Sequence, residues 1–218
     1  MPNEIELKLL IAPADIPRLQ RHPLLKALTQ RKLPTQRLLS IYYDTPELTL
    51  HRHRIAVRLR RVGRQWLQTV KTAGRVVAGL HERLECEYPA TKGVLDFTPL
   101  TDPALQSFFA DAALRRALQP VFVTEFSRAC RLLSWPNGDT VEFALDRGEI
   151  HTGDRRQPIS EVELELKAGA SERLFALAAA LQATIPLQPS DISKAERGYR
   201  LMTLPSTGAT AAPRGSDS

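Results

Sequence analysis

Glu161-Val162-Glu163-Leu164-Glu165-Leu166 alternates acidic and aliphatic residues without a break. A period of two marks a β-strand with two unlike faces, so this segment predicts a strand with three carboxylates on one side and three aliphatic side chains on the other. On an ordinary solvated strand face, like charges two residues apart gain nothing from each other and mixed signs cost less. Here the face keeps one sign, and the pattern recurs. Glu4-Ile5-Glu6-Leu7-Lys8 sets two glutamates and a lysine on one face, Val57-Arg58-Leu59-Arg60 sets two arginines together, and Glu85 shares a face with Glu87.

The opposite faces carry Ile5, Leu7, Val57, Leu59, Val162, Leu164 and Leu166, which need covering. If covering helices lie outside, the charges point the other way, and in a closed sheet that direction is the lumen. About eight strands leave room there for side chains and one small ligand. Alternating segments at 4–8, 38–44, 55–61, 65–71, 83–88, 121–133, 140–146 and 160–167 supply the strands. Residues 14–29, 102–118 and 171–183 read as helices. Pro136-Asn137-Gly138-Asp139 is a tight-turn signal and Gly74…Gly79 a hairpin connection. The expected class is α+β, an antiparallel barrel with external helices. Residues 1–204 form the domain, and 205–218, rich in Ser, Thr, Ala, Gly and Pro, form a disordered tail.

With 30 Lys and Arg against 24 Asp and Glu, a net charge of +6 and a pI near 9.6, the chain favours anionic partners. Aromatics are 6% of residues and the cations alternate within strands instead of forming blocks. That pattern fits a small polyanion and speaks against nucleic acid. No apolar run is long enough to span a bilayer, so a cytoplasmic protein without membrane contact is expected, as a monomer or homodimer. Cys86 and Cys130 lack any metal or redox spacing and read as unreactive thiols. Carboxylate clusters without His or Cys suit a hard cation, Mg²⁺ or Mn²⁺, and rows of Arg and Lys suit phosphate oxygens. His51-Arg52-His53 reads as a solvated loop. Gly74…Gly79 lacks a phosphate-loop ending, and no nucleophile elbow occurs.

Glu4-Ile5-Glu6-Leu7-Lys8 also resembles the E-x-E-x-K signature of the CYTH, or triphosphate tunnel metalloenzyme, superfamily. Ile41-Tyr42-Tyr43-Asp44-Thr45-Pro46, Val57-Arg58-Leu59-Arg60, Thr69-Val70-Lys71, Gly79-Leu80-His81, Ala144-Leu145-Asp146, the 161–166 ladder and Ser193-Lys194-Ala195-Glu196-Arg197-Gly198-Tyr199 follow in the family's order. The resemblance is greatest to bacterial inorganic triphosphatases. It implies a closed eight-stranded antiparallel tunnel that hydrolyses tripolyphosphate to pyrophosphate and phosphate. It further implies that Glu4, Glu6, Glu163 and Glu165 ligate the metal, with Glu85, Glu87 and Asp146 as further metal-side carboxylates. Arg58, Arg60, Lys71, Arg128 and Lys194 would grip phosphates, and Lys8 would position or polarise the reacting group. Tyr42 matches the family's water-orienting tyrosine; Tyr43 is the alternative, since a one-residue shift reverses which ring faces inward. An adenylate cyclase or thiamine triphosphatase of the same fold, and a non-catalytic polyphosphate-binding module, are the competing functions.

Overall fold

The alternating segments pair antiparallel throughout and close into a ring. The computed structural model describes residues 3–72 and 74–203. Its strands are β1 (Asn3–Ile11), β2 (Thr29–Lys32), β3 (Gln36–Asp44), β4 (Ile55–Val62), β5 (Gln65–Thr72), β6 (Arg75–Val77), β7 (Leu80–Pro89), β8 (Gln119–Ser134), β9 (Thr140–Thr152), β10 (Arg155–Ala168) and β11 (Leu187–Pro189). The helices are α1 (Ile16–Gln20), α2 (Pro23–Leu28), α3 (Thr49–Arg52), α4 (Pro103–Phe109), α5 (Ala112–Ala117), α6 (Glu172–Gln182) and α7 (Lys194–Thr203). Eight strands follow the order β1-β10-β9-β8-β3-β4-β5-β7, and pairing of β7 with β1 closes the barrel. Three short strands sit outside this ring: β2 on β8, β6 on β7 and β11 on β1.

Register decides which side chains point out. Leu7 lies opposite Leu164 and Leu9 opposite Val162, and these residues bury against Ile16, Leu19 and Leu25 of α1 and α2 and Leu174, Leu177 and Leu181 of α6. On the other flank Val57 and Val70 bury against Leu50 of α3 and Leu105 and Phe109 of α4. A third cluster is internal: Leu38, Tyr42, Phe122, Phe126, Ile150 and Ile159 meet Tyr199 and Leu201 of α7. Helix α7 packs on β8, β9 and β10 and closes that part of the barrel with apolar side chains. Among the described residues no helix is long and apolar enough to cross a membrane.

Two expected helices are each broken. The 14–29 stretch divides at Arg21-His22 because Pro23 offers no N–H and biases the preceding residue away from helix; His22 has ψ 128° and its Nδ1 accepts from the Leu24 N–H. The 102–118 stretch divides at Asp111, whose carboxylate accepts from the N–H groups of Ala113 and Leu114 and starts a second helix. The turn at Pro136–Asp139 forms, with the Trp135 N–H donating to the Asp139 carbonyl. Strands β8 to β10 run past their expected ends, and α3, α7, β2, β6 and β11 were not anticipated. The 205–218 tail lies outside the described residues.

Helix α7 approaches β8 so closely that a Cβ on Gly198 would fall 2.2 Å from Phe122 Cε2. Phe122 is held by stacking on Tyr42 at 4.5 Å and by an edge contact with Tyr199 at 5.2 Å. In an exposed helix Gly→Ala gains about 1 kcal/mol, whereas overpacking a core costs about 1–3 kcal/mol. Gly198→Ala is therefore expected to lower the urea midpoint, and a raised midpoint would show that α7 does not seat against Phe122.

Candidate active site in the barrel lumen

The inner faces line a cavity of about 1240 Å³. Strands β1, β9 and β10 bring the acids together: Glu6 stands opposite Glu165, Lys8 opposite Glu163, and Asp146 opposite Glu161. Asp146, Glu161 and Glu163 are buried, and one carboxylate oxygen of each lies within 4.8 Å of the others. Strands β3, β4, β5 and β8 bring Tyr42, Arg58, Arg60, Lys71 and Arg128 to the same cavity, and the first turn of α7 adds Lys194.

These groups meet as ion pairs. Lys194 Nζ lies 2.6 Å from Asp146 Oδ2, 2.5 Å from Glu161 Oε1 and 2.8 Å from Glu163 Oε1. Arg128 binds Asp146 through Nε at 2.8 Å and Nη2 at 2.6 Å and also contacts Glu163. Lys8 Nζ is 3.2 Å from Glu163 Oε1 and 3.7 Å from Glu161 Oε1. Lys71 Nζ bridges Glu4 at 2.9 Å and Glu85 at 2.7 Å, and Arg83 bridges Glu4 at 3.0 Å and Glu6 at 2.7 Å. Arg58 Nη2 lies 3.6 Å from Glu85 and 3.7 Å from Glu87, and its Nε donates to Thr69 Oγ1.

Arg60 is the exception. Its Nε donates to Ser40 Oγ at 3.0 Å and its guanidinium stands 5.8 Å from the Phe126 ring centre, with no carboxylate partner among the described residues. Burial, together with Arg58 and Arg128 nearby, pulls its pKa down to about 10.

Of the expected metal-side residues, Glu163 and Asp146 join one cluster, and Glu4 and Glu6 share Arg83. Glu85 and Glu87 stand by Arg58, Glu85 also pairing with Lys71. Glu165 stands apart, half-buried and paired with Lys167 at 2.6 Å, its carboxyl raised by burial. Tyr42 faces the lumen, whereas Tyr43 packs in the outer cluster around Leu50 and Phe109. Burial pushes the Tyr42 phenol up, but the charges of Arg58 and Arg60 outweigh it and hold the group below its ordinary value. Burial would discharge Lys8, yet Glu161, Glu163 and Glu6 hold its pKa above normal.

Sequence reasoning gave no role to Glu161 or Arg83, although both continue alternations that were legible. Ser40, uncharged, left no signal, and Thr69 stood within the quoted Thr69-Val70-Lys71 motif without being given a role. His51 departs from the expected solvated loop: it belongs to α3, stacks on Tyr199 at 4.1 Å and places Nε2 3.1 Å from Glu196. Burial raises both thiols, Cys130 to about 12, which leaves them unreactive.

An antiparallel tunnel whose wall presents carboxylates and cations to one cavity defines a class of β-barrel with a charged lumen. The chain belongs to the CYTH family, the CYTH domain matching residues 2–199. An inorganic triphosphatase of Haemophilus influenzae is 35% identical over 202 residues, 92% of this chain; the chain spans 55% of that relative's length. Among solved structures, the Hippeastrum protein HpAC1, described as an adenylyl cyclase candidate with dominant triphosphatase activity, superposes with a TM-score of 0.61 at 19% identity, covering 93% of this chain and 98% of that one. The PH1819 protein of Pyrococcus horikoshii gives 0.54 at 18% identity over 90% and 98%. These two share the fold.

Burial alone would raise the carboxyls of Asp146 and Glu163, but Arg128 and Lys194 outweigh it and hold both below the ordinary range. A depressed carboxyl contributes stability that is present above its unfolded value near 4 and is lost as pH falls through the folded value. In EDTA the urea midpoint is expected to drop as pH falls from about 5 to 2, with a shallower drop in Asp146→Asn. A midpoint that holds level over this range would mean these ion pairs do not support the fold.

Proposed function

We propose that this chain is a metal-dependent hydrolase that cleaves tripolyphosphate to pyrophosphate and phosphate inside the barrel, carried by a domain spanning residues 1–204. The observation that carries this reading is the meeting of a buried oxygen-only acidic cluster with a set of cations at the wall of one cavity, which the cluster reaches through Glu163. The cluster fits a hard divalent cation: it contains no nitrogen or sulfur donor, and Glu161 Oε1 is buried without a directed hydrogen bond although Lys194 lies 2.5 Å away. Glu163, Asp146 and Glu161, with Glu4 and Glu6 across Arg83, would hold Mg²⁺ or Mn²⁺, with Glu85, Glu87 and Glu165 as further carboxylates on the cavity wall. The ion would neutralise charge on the phosphate oxygens and lower the pKa of water.

The chain's own groups do the rest. Arg58, Arg60, Arg128, Lys71 and Lys194 grip phosphate oxygens, and Arg60, free of carboxylate, offers the first contact. Lys8 stays protonated beside Glu163, so it stabilises developing negative charge on the transferred phosphoryl group and does not act as a base. Tyr42, fixed by its stack on Phe122 and flanked by Arg58, orients the attacking water. Phosphoryl transfer asks little beyond such positioning and charge neutralisation. The triphosphatase relative and the many charged side chains of the lining support an inorganic substrate.

Phosphate release from tripolyphosphate, ATP and thiamine triphosphate, each with Mg²⁺, Mn²⁺ or EDTA, tests the reading. Tripolyphosphate turnover that EDTA abolishes is expected. Cyclic AMP from ATP would indicate a cyclase, and binding without turnover under every condition a passive polyphosphate binder. Glu163→Gln should lower kcat by about 10²-fold or more, beyond the 10–100-fold typical of outer-shell partners, in a protein that stays folded. Arg58→Ala should mainly raise KM.

A further inference from the structure

Residues 16–43 contain no Asp or Glu and carry Arg18, Arg21, Lys26, Arg31, Lys32 and Arg37. These six cations account for the whole net charge of +6, the remainder of the chain holding 24 Lys and Arg against 24 Asp and Glu. All six are exposed, and none forms an ion pair among the described residues. Elsewhere on the exterior Arg156 pairs with Glu149, Arg173 with Asp139 and Arg200 with Glu196. Other exposed arginines such as Arg61 and Arg147 are unpaired among the described residues, Arg147 with Asp146 and Glu149 nearby in the sequence.

The six share one side of the barrel. Helices α1 and α2 lead directly into β2, which lies on β8 through Arg31 opposite Leu132 and Lys32 opposite Arg131. Strand β3 continues along β8 with Arg37 opposite Ser127. Arg131 joins them: its Nη2 donates to the Gln20 carbonyl of α1, and its Nη1 is buried without a partner. Arg131 and Lys32 line a small cavity of about 140 Å³ beneath this face. Crowding one sign of charge destabilises a compact state, and a surface without a partner does better with signs interspersed.

We propose that this outer face docks a long, flexible phosphate polymer, inorganic polyphosphate. Four of the six cations are arginines, whose planar fork matches phosphate oxygens. Residues 16–37 contain no Phe, Trp or Tyr, so the face lacks the aromatic platforms on which single-stranded nucleic acids stack their bases. It recognises the phosphates and nothing between them. The choice of polyphosphate over other phosphate polymers rests on the triphosphate reading of the lumen, where a chain end would be accepted.

Labelled long-chain polyphosphate, tripolyphosphate and a uridine homopolymer of matched phosphate number, each titrated in EDTA, test this without turnover. Six phosphate contacts on a single strand give a log–log salt slope of about −4, a loss of roughly 300-fold between 50 and 200 mM salt. Replacing all six residues with glutamine should weaken polyphosphate binding at least tenfold while leaving kcat and KM for tripolyphosphate unchanged. The double variant Arg31→Gln/Lys32→Gln, confined to one exposed strand, should shift the slope to about −3. Absence of polymer binding, binding unchanged in both variants, or tighter binding of the uridine polymer would overturn the proposal. Tripolyphosphate turnover without polymer binding would sink this inference alone; polymer binding without turnover would sink the hydrolase reading alone.

Discussion

An ionised side chain taken out of water costs several kcal/mol unless partners meet it in good geometry. In this barrel the cost is met by pairing across strands. Lys8, Arg58, Glu6, Asp146, Glu161, Glu163 and Lys194 are all buried, and each touches an oppositely charged neighbour. The pairing works only because register sets acids of β1, β9 and β10 within reach of cations from β8 and α7. A shift of one residue would turn Glu163 and Lys8 outward and bring Leu7, Val162 and Leu164 into the lumen. Register, ion pairing and the outward apolar faces are therefore one constraint seen from three sides.

Helix α7 illustrates how packing and chemistry are joined. Its first residue, Lys194, enters the acidic cluster, while Tyr199 and Leu201 complete the apolar seal around Phe122 and Ile150. Asp44 fastens the arrangement: its carboxylate accepts from the N–H groups of Thr45, Leu50 and His51 and from the Tyr199 hydroxyl at 2.9 Å. One buried carboxylate thus ties α3 to α7, and the burial of Tyr199 beside Asp44 keeps that phenol protonated.

Much of this was legible in the sequence because strands write their faces at period two. Glu4 to Lys8, Arg58 to Arg60 and the 161–166 ladder give the charged lumen directly, and the aliphatic residues between them require outer helices. What was not legible depended on three-dimensional neighbours. Arg60 and Arg58 look alike in the sequence, yet only Arg58 finds carboxylates, because its rung continues through Thr69 to Glu87 while that of Arg60 reaches Leu67. Glu165 belongs to the same alternation as Glu163 but lies toward Lys167 and away from Asp146. The split helices hid behind apolar periodicity that Pro23 and Asp111 interrupt, and the role of His51 depended on a ring from α7, nearly 150 residues later in the chain.

The lumen as it stands is nearly self-neutral, and this has an energetic consequence for ligands. Under the proposed function a polyphosphate would compete with Glu163, Asp146 and Glu85 for the cations, and a divalent ion would compete with Lys194 and Arg128 for the carboxylates. Each ligand releases what the other needs, so the two should bind with positive coupling that is equal in both directions. Calorimetric titration of a non-hydrolysable triphosphate analogue, in EDTA and in saturating Mg²⁺, measures that coupling. Affinity at least tenfold higher with the metal, about 1.4 kcal/mol, is the expected result. Equal affinity under both conditions would contradict the account, because the buried acids and cations would then not be exchanging partners in a common tunnel.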